Sequence, residues 1–536
     1  MVFSSIIFLT AFLPLTFVLY YLPFSIKYKN AILIIMSLLF YSFGEPVYII
    51  LMLGSVFMNY IFGRLLGSEK NIPGGLLESE KNIPGRLFGN EKVNRKLCLI
   101  FAVVLNIGLL GVFKYAGFFV ESINSFCNLS IHVPKIKLPI GISFYTFQAM
   151  SYVIDVYRDG KQVQKSFPKL LLYISFFPQL IAGPIVRYHD IDEQLKKRGI
   201  NGNGSAEPAM IVAGIERFIK GLAKKVIIAN SMGQVADTVY ALDISGYNAL
   251  VAWVGAIAYV FQIYYDFSGY SDMAIGLAKM FGFEFRENFE HPYSSQSIKE
   301  FWRRWHISLS SWFKEYVYIP LGGNRKGRFR TNLNKIIVFF LTGFWHGANW
   351  TFIIWGLFHG TFLIIEDIVG TVCKHARDKK ELTFAKASAV GKKETNSAKA
   401  SDAGRNIKEK NASKPWLIIK MLKNVYVWLV VTVGFVFFRA ENISYALDFI
   451  RKMFAGFTYS RASVVLVCKM FNPYNIFIII LAFILSYPVV RMVDNKLIKK
   501  KNIFKPVIAF GSLLLLMLCI LNLASEAYNP FIYFRF

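Results

Sequence analysis

His346 is the first residue at which chemistry is expected. It lies in residues 336–365, IIVFFLTGFWHGANWTFIIWGLFHGTFLII, a run without formal charge between Lys335 and Glu366. A bilayer core about 30 Å thick is crossed by about 20 apolar residues, so this run can span it with tilt or a local break. At about 1.5 Å per residue, His346 sits roughly 15 Å in from Ile336, near the midplane. On a continuous helix Thr342 and Asn349 share its face. Polar groups at that depth are costly and mark a functional site by default. The plainer alternative is a histidine that only hydrogen-bonds a neighbouring helix. With an unperturbed pKa of about 6.5, histidine can take or give a proton near neutral pH.

The stretch before it, residues 299–335, is the most basic and aromatic of the chain: KEFWRRWHISLSSWFKEYVYIPLGGNRKGRFRTNLNK. A helix over its first part puts Trp302, His306, Leu309 and Phe313 on one face, with Arg303 and Lys314 off it. Pro320 and Gly322-Gly323 end that helix. Its nine Lys and Arg (299, 303, 304, 314, 325, 326, 328, 330 and 335) place it on the cytoplasmic side, and its Trp and Tyr suit the membrane–water interface. Residues 336–365 then leave the cytoplasm as a span. If both ends are cytoplasmic, the run is instead a bent pair or holds a second short crossing.

These elements belong to a chain of 536 residues, 55% hydrophobic and 16% aromatic. Its long apolar runs are continuous, so they read as transmembrane helices rather than alternating barrel strands. The net charge of +28 comes from basic residues clustered between apolar runs, which is membrane topology and not nucleic-acid binding. Cys98, Cys127, Cys373, Cys468 and Cys519 are scattered and odd in number, so neither a disulfide framework nor a metal site is indicated. The N-terminus lacks a basic n-region and a cleavage site and reads as a retained first span.

The expected fold is all-α: a polytopic transmembrane bundle of about eleven membrane segments in one domain, 1–536. Spans are expected at 3–22, 30–43, 47–66 and 97–120, with a span or re-entrant segment at 138–157 and further runs at 168–186 and 247–282. Residues 207–231 read as an amphipathic helix partly in the interface, carrying Arg217, Lys220, Lys224 and Lys225. A polar loop at 67–96 carries SEKNIPG twice, an eleven-residue duplication. Residues 371–415, rich in Lys, Ala and Ser, read as a disordered cytoplasmic linker. Three spans follow within 416–536. Asp266 and Asp272 lie in an apolar stretch and need partners, either in a polar seam or along a tunnel.

Four stretches resemble the membrane-bound O-acyltransferase family: FFPQLIAGPIVRY (176–188), FQIYYDFSGYSDMAIGLAKMFGF (261–283), NFEHPYSSQSIKEFWRRWHISLSSWFKEYVYIPLGGNR (288–325) and LTGFWHGANWTFIIWGLFHG (341–360). The likeness is to the bacterial branch that includes proteins of alginate O-acetylation and of D-alanyl transfer to teichoic acids; the ending NPFIYFRF also resembles it. The resemblance implies a helical bundle around a tunnel, with the acyl donor inside the cell and the acceptor outside. It implies catalytic roles for His346, inside the tunnel, and His306, nearer the cytoplasmic mouth.

Acyl transfer from a thioester to a hydroxyl needs a base for the hydroxyl proton and donors for the oxyanion. Asn349 and Trp345 are the donor candidates, and Arg303, Arg304 and Arg325 the groups that could attract an anionic thioester. His359 lies about 220° around a continuous helix from His346 and is expected to face elsewhere. His189 and His291 are expected to make structural hydrogen bonds, and His132 and His375 to be solvated in loops.

The resemblance further implies acetyl-CoA or an acyl-carrier thioester as co-substrate, with no bound cofactor and no metal. It implies a polysaccharide acceptor, surrounding membrane lipids, an extracytoplasmic partner of the SGNH-hydrolase type, an acyl carrier protein where the donor is carrier-borne, and no nucleic acid. The expected location is the bacterial cytoplasmic membrane. D-alanyl transfer to teichoic acid is the alternative in the same chemistry, and the spans after residue 416 favour acetyl. A transporter or flippase, the rival class, would show inverted repeats, and no matching halves are visible.

Overall fold

The computed structural model describes residues 1–67, 91–391, 413–489, 501–525 and 528–532; the duplicated loop and residues 392–412 lie outside them. Among the described residues the regular elements are all helical. Among the described residues six helices are long and apolar enough to cross a bilayer: Tyr48–Leu66, Asn94–Cys127, Ala249–Met280, Trp350–His375, Leu417–Arg439 and Pro506–Ser525. The pair Arg461–Met470 and Pro473–Ser486, bent by 68°, makes a seventh if counted as one span. Among the described residues, length and apolarity thus support six or seven of the roughly eleven expected segments. The other expected runs are shorter or broken helices, such as Leu13–Tyr21, Ile26–Ser42, Ile142–Arg158, and Phe167–Ser175 followed by Phe177–Leu180. Helix ends can be tolerated at membrane depth where other protein covers them, and Ile142–Arg158 is buried along nearly its whole length.

The site is held by α1 (Glu91–Leu110, carried on by a widened turn at Gly111–Tyr115 to Cys127), α2 (Ile142–Arg158), α3 (Pro208–Ala223), α4 (Ala249–Met280), α5 (Ile298–Arg304), α6 (Ile307–Phe313), α7 (Gly327–His346), α8 (Trp350–Gly391) and α9 (Ser413–Arg439). The axis of the bundle is α4, buried over 83% of its apolar window where Pro506–Ser525 is buried over 6%. It begins at Asn248, whose Oδ1 accepts from the Val251 amide at 3.0 Å. It lies backbone to backbone on α3, since a Cβ on Gly276 would come within 2.6 Å of the Gly214 carbonyl oxygen. That packing buries one face of the amphipathic helix expected at 207–231, while Val212 and Ile215 stay exposed on the other. Arg217 and Lys224 turn inward to Asp272, and Lys225 to Asp266, so a charge seam joins the helices; of the four basic residues named there, Lys220 is the one exposed.

Residues 336–365 are not one helix. The first helix, α7, stops at His346, the chain is extended at Gly347, and α8 starts at Trp350. The two arms fold back on each other, so close that a Cβ on Gly343 would strike the Phe352 carbonyl and one on Gly356 the Phe339 carbonyl. His346 thus stands at the apex of a helical hairpin. The second arm also continues over 371–391, which were expected to be disordered; Ala, Lys, Glu and Leu are good helix formers and supply that extension.

Candidate active site

At the apex, His346 is 5% exposed and His306 fully buried, with ring centroids 6.3 Å apart. The wall around them is aromatic. Trp345, Trp355 and Phe438 stand 5.0, 5.1 and 5.2 Å from the His346 ring, and Phe267 packs edge-on to His306 at 4.6 Å. The indole nitrogens of Trp302, Trp345 and Trp355 are buried without a hydrogen-bond partner among the described residues. Unspent buried donors are uncommon and call for an explanation. The Trp345 and Trp355 indoles lie against the His346 ring, so two of these unspent donors stand beside the histidine.

The helix expected through His306 is broken at it. His306 takes φ +45°, a left-handed conformation uncommon outside glycine, and separates α5 from α6. The break is held by residues 288–290: the Ile307 amide donates to Asn288 O at 3.0 Å and the Glu290 amide to Arg304 O at 2.9 Å. The Asn288 Oδ1 lies 3.3 Å from His306 Nδ1 and also accepts from the Ser308 hydroxyl at 2.9 Å. With the Nδ1 proton on Asn288, Nε2 is the lone-pair nitrogen, and it has no partner among the described residues.

Trp302, Leu309 and Phe313 share a wall, though through two helices. They line a cavity of about 220 Å³ together with Phe339 and with Thr342, one turn before His346. Its rim carries Lys299, Arg303, Lys314 and Lys335, with Asp367 bridging Lys299 and Lys335.

Several expected site residues fall elsewhere. Asn349 lies past the end of α7, where its Oδ1 accepts from the Thr351 amide at 3.0 Å and its Nδ2 donates to Glu441 O at 2.9 Å; it caps α8 and does not share a face with His346. Trp345 does reach the site. Arg304 is tied to Glu300 at 2.8 Å, and Arg325 is exposed outside the cavity, which leaves Arg303 at the rim.

Asp266 and Asp272 are spent in ion pairs. His359 does not face away: the helix break re-aims it, and its fully buried ring lies 5.4 Å from Trp355 and 5.3 Å from Trp302. His189 does make a structural bond, Nδ1 to Asp155 Oδ2 at 2.9 Å. Ligand atoms of Asp155, His189 and Glu315 lie within 4.8 Å of one another, but Tyr316 donates to Asp155 and Arg187 binds Glu315, so protein donors already fill that cluster. His132 is exposed in a loop, whereas His375 is exposed on α8. Sequence reasoning missed Asn288, Trp355 and Phe438, which lay in quoted or apolar stretches with nothing to single them out.

Membrane-crossing helices around a buried pair of histidines define a multi-pass membrane enzyme. A model of the membrane-bound O-acyltransferase family matches residues 144–392. The Azotobacter vinelandii protein named "Probable alginate O-acetylase AlgI" is 40% identical over 459 residues, 85% of this chain and 78% of that one. The peptidoglycan O-acetyltransferase of Helicobacter pylori is 33% identical over 483 residues, 84% of this chain and 80% of that one. The teichoic acid D-alanyltransferase of Streptococcus thermophilus is 32% identical over 238 residues, 42% of this chain and 56% of that one. The chain belongs to the membrane-bound O-acyltransferase family, and it is an O-acyltransferase.

Proposed function

We propose that the chain takes acetyl from acetyl-CoA on the cytoplasmic side of the bacterial cytoplasmic membrane and passes it outward for O-acetylation of an extracytoplasmic polysaccharide. The relatives matched over most of their length are named for alginate and peptidoglycan O-acetylation, which supports acetyl and a sugar-polymer acceptor. The D-alanyl alternative rests on a relative matched over less than half of this chain.

The observation that carries the chemistry is the buried histidine pair ringed by indole N–H groups without partners. His346 takes the proton of the acceptor hydroxyl as its oxygen attacks the thioester carbonyl. The tetrahedral oxyanion draws on the indole N–H groups of Trp345 and Trp355. On collapse the C–S bond breaks, and the thiolate leaves with the proton from His346. His306, its tautomer set by Asn288, stands with its ring 6.3 Å from that of His346, and its Nε2 has no partner among the described residues. The cavity between α5, α6 and α7 suits the donor: Arg303 and its basic neighbours meet a phosphate-bearing head, and the apolar wall takes the thioester arm toward Thr342 and His346. An extracytoplasmic partner of the SGNH-hydrolase type completes delivery to the polymer.

The test is His346→Ala, assayed by polymer O-acetyl content in cells at matched protein abundance. Losing a positioned base costs about 10²–10⁴-fold. Wild-type acetylation at equal abundance would remove His346 from the mechanism.

A further inference from the structure

Apart from the site itself, a costly group is Lys114. It is the one formally charged residue in 97–120, LCLIFAVVLNIGLLGVFKYAGFFV. The helix around it, Asn94–Cys127, is a candidate span buried inside the protein over only 17% of its apolar window. A lysine in such a segment is expensive and calls for a function. It also sits in the widened turn Gly111–Tyr115, a local insertion of the kind often found at functional positions.

The destination of its ammonium is specific. Lys114 Nζ donates to Trp345 O at 2.6 Å and to His346 O at 3.3 Å, with Ser143 Oγ of α2 at 3.4 Å. The next residue, Tyr115, donates its hydroxyl to Phe344 O at 2.7 Å and stacks on the Phe344 ring at 4.0 Å. A helix leaves its last four carbonyls without intrahelical donors. In α7 three of those four, at 344, 345 and 346, are taken by two adjacent residues of another span. A cation at that end also opposes the negative pole of the helix. Terminal turns fray, and His346 is the last residue of α7.

We propose that Lys114 and Tyr115 form a clamp that positions His346 for acyl transfer. Lys114 is a positioning residue. It touches the backbone that carries the histidine and fixes the final turn against unwinding toward Gly347. This rests on the reading of His346 as the base.

The test measures polymer O-acetylation per folded full-length protein in cells, with the thermal midpoint of each purified variant, for Lys114→Met, Lys114→Arg, Tyr115→Phe and His346→Ala. Displacing a reacting group by about 1 Å costs about a hundredfold, so Lys114→Met is expected to lose about ten- to a hundredfold per folded molecule. Lys114→Arg, which keeps a cationic donor, is expected to recover most of it. Tyr115→Phe deletes one neutral hydrogen bond and is expected to lose about fivefold while accumulating normally. A purely structural lysine would lower abundance and midpoint but leave the rate per folded molecule unchanged. Lys114→Met within twofold of wild type per folded molecule, or Tyr115→Phe at the wild-type rate, overturns the clamp. An active His346→Ala would instead overturn the assignment of the base, whatever Lys114 does.

Discussion

Two buried polar regions lie along the same bundle and treat their polar atoms in opposite ways. At one, Lys225 and Asp266 pair at 2.8 Å with side chains 3% and 2% exposed. Lys225 also donates to Asn230 Oδ1 at 2.9 Å and to the Pro530 carbonyl, and Asp266 accepts from the Ile532 amide at 2.7 Å. Asn230 reaches the Tyr528 carbonyl at 3.2 Å. Both charges are committed, and their bonds hold residues 528–532 into the bundle. At the other region, His306 Nε2 and three indole N–H groups are buried with their hydrogen bonds unspent. Burial and polarity are common to both. What separates a bolt from a site is whether the polar atoms are already satisfied.

The comparison breaks first at the bolt, where the largest effect is expected. Asp266→Ala leaves Lys225 buried without its counter-charge, a loss of about 3–5 kcal/mol. Protein abundance and thermal midpoint should fall steeply, while acetylation per surviving folded molecule stays at the wild-type level. Replacing both partners by apolar residues, Lys225→Met with Asp266→Leu, should restore much of the loss, because no unpaired charge remains. A stable, abundant but inactive Asp266→Ala protein would move Asp266 into the tunnel and end the distinction.

At the site, the same logic is sharpened by Asn288. Asn288→Ala removes the acceptor that orients His306 Nδ1 and the Ser308 hydroxyl. Groups that orient a functional histidine typically carry about 10–100-fold. The loss per folded molecule should fall on kcat, with KM for the thioester little changed, while the bonds lost from the Ser308 amide and to Ser271 also lower the thermal midpoint. A change confined to KM would instead make Asn288 a donor-binding residue.

How much of this was legible differs for the same physical reason. Apolar runs are written in residue type, so the helical membrane fold followed from the sequence; the roles of His306 and His346 came from the resemblance, and His306 was expected nearer the cytoplasmic mouth, not with its ring 6.3 Å from His346. Helix breaks are not written in residue type. Residues 336–365 carry no proline, and the turn at Gly347 depends on tertiary packing of Gly343 and Gly356, so Asn349 and His359 were put on the wrong faces of a helix that does not exist. The break at His306 is likewise imposed by pairing with 288–290. Charge partners were also hidden, because Lys225 and Asp266 are far apart in sequence and the pairing of a basic helix is unknown until its neighbour is. Lys114 was the exception, a lone charge in an apolar run that was visible but passed over.

The smallest expected effect lies outside the candidate spans, at His189 on the amphipathic helix Tyr188–Lys196. Its Nδ1 bonds Asp155 at 2.9 Å, and Asp190 lies 3.6 Å from Nε2. The hydrogen bond to Asp155 raises its pKa above the ordinary histidine value; burial and the neighbouring Arg187 oppose the rise, and the charges of Asp155 and Asp190 support it. A raised folded-state pKa means that protonated His189 stabilises the fold. That contribution is fully present below the unfolded value of about 6.5 and is lost as pH rises through the higher folded value. The side chain is 28% exposed, so the pair should contribute no more than about 1 kcal/mol. His189→Gln should therefore lower the thermal midpoint of the purified protein by about a degree near pH 6, with the gap closing as pH rises toward 9. Asp155 keeps its bond from the Tyr316 hydroxyl throughout. A gap that widened with rising pH would show that the neutral imidazole is the stabilising form, and that Asp155 and His189 belong with the unspent groups of the site and not with the bolts.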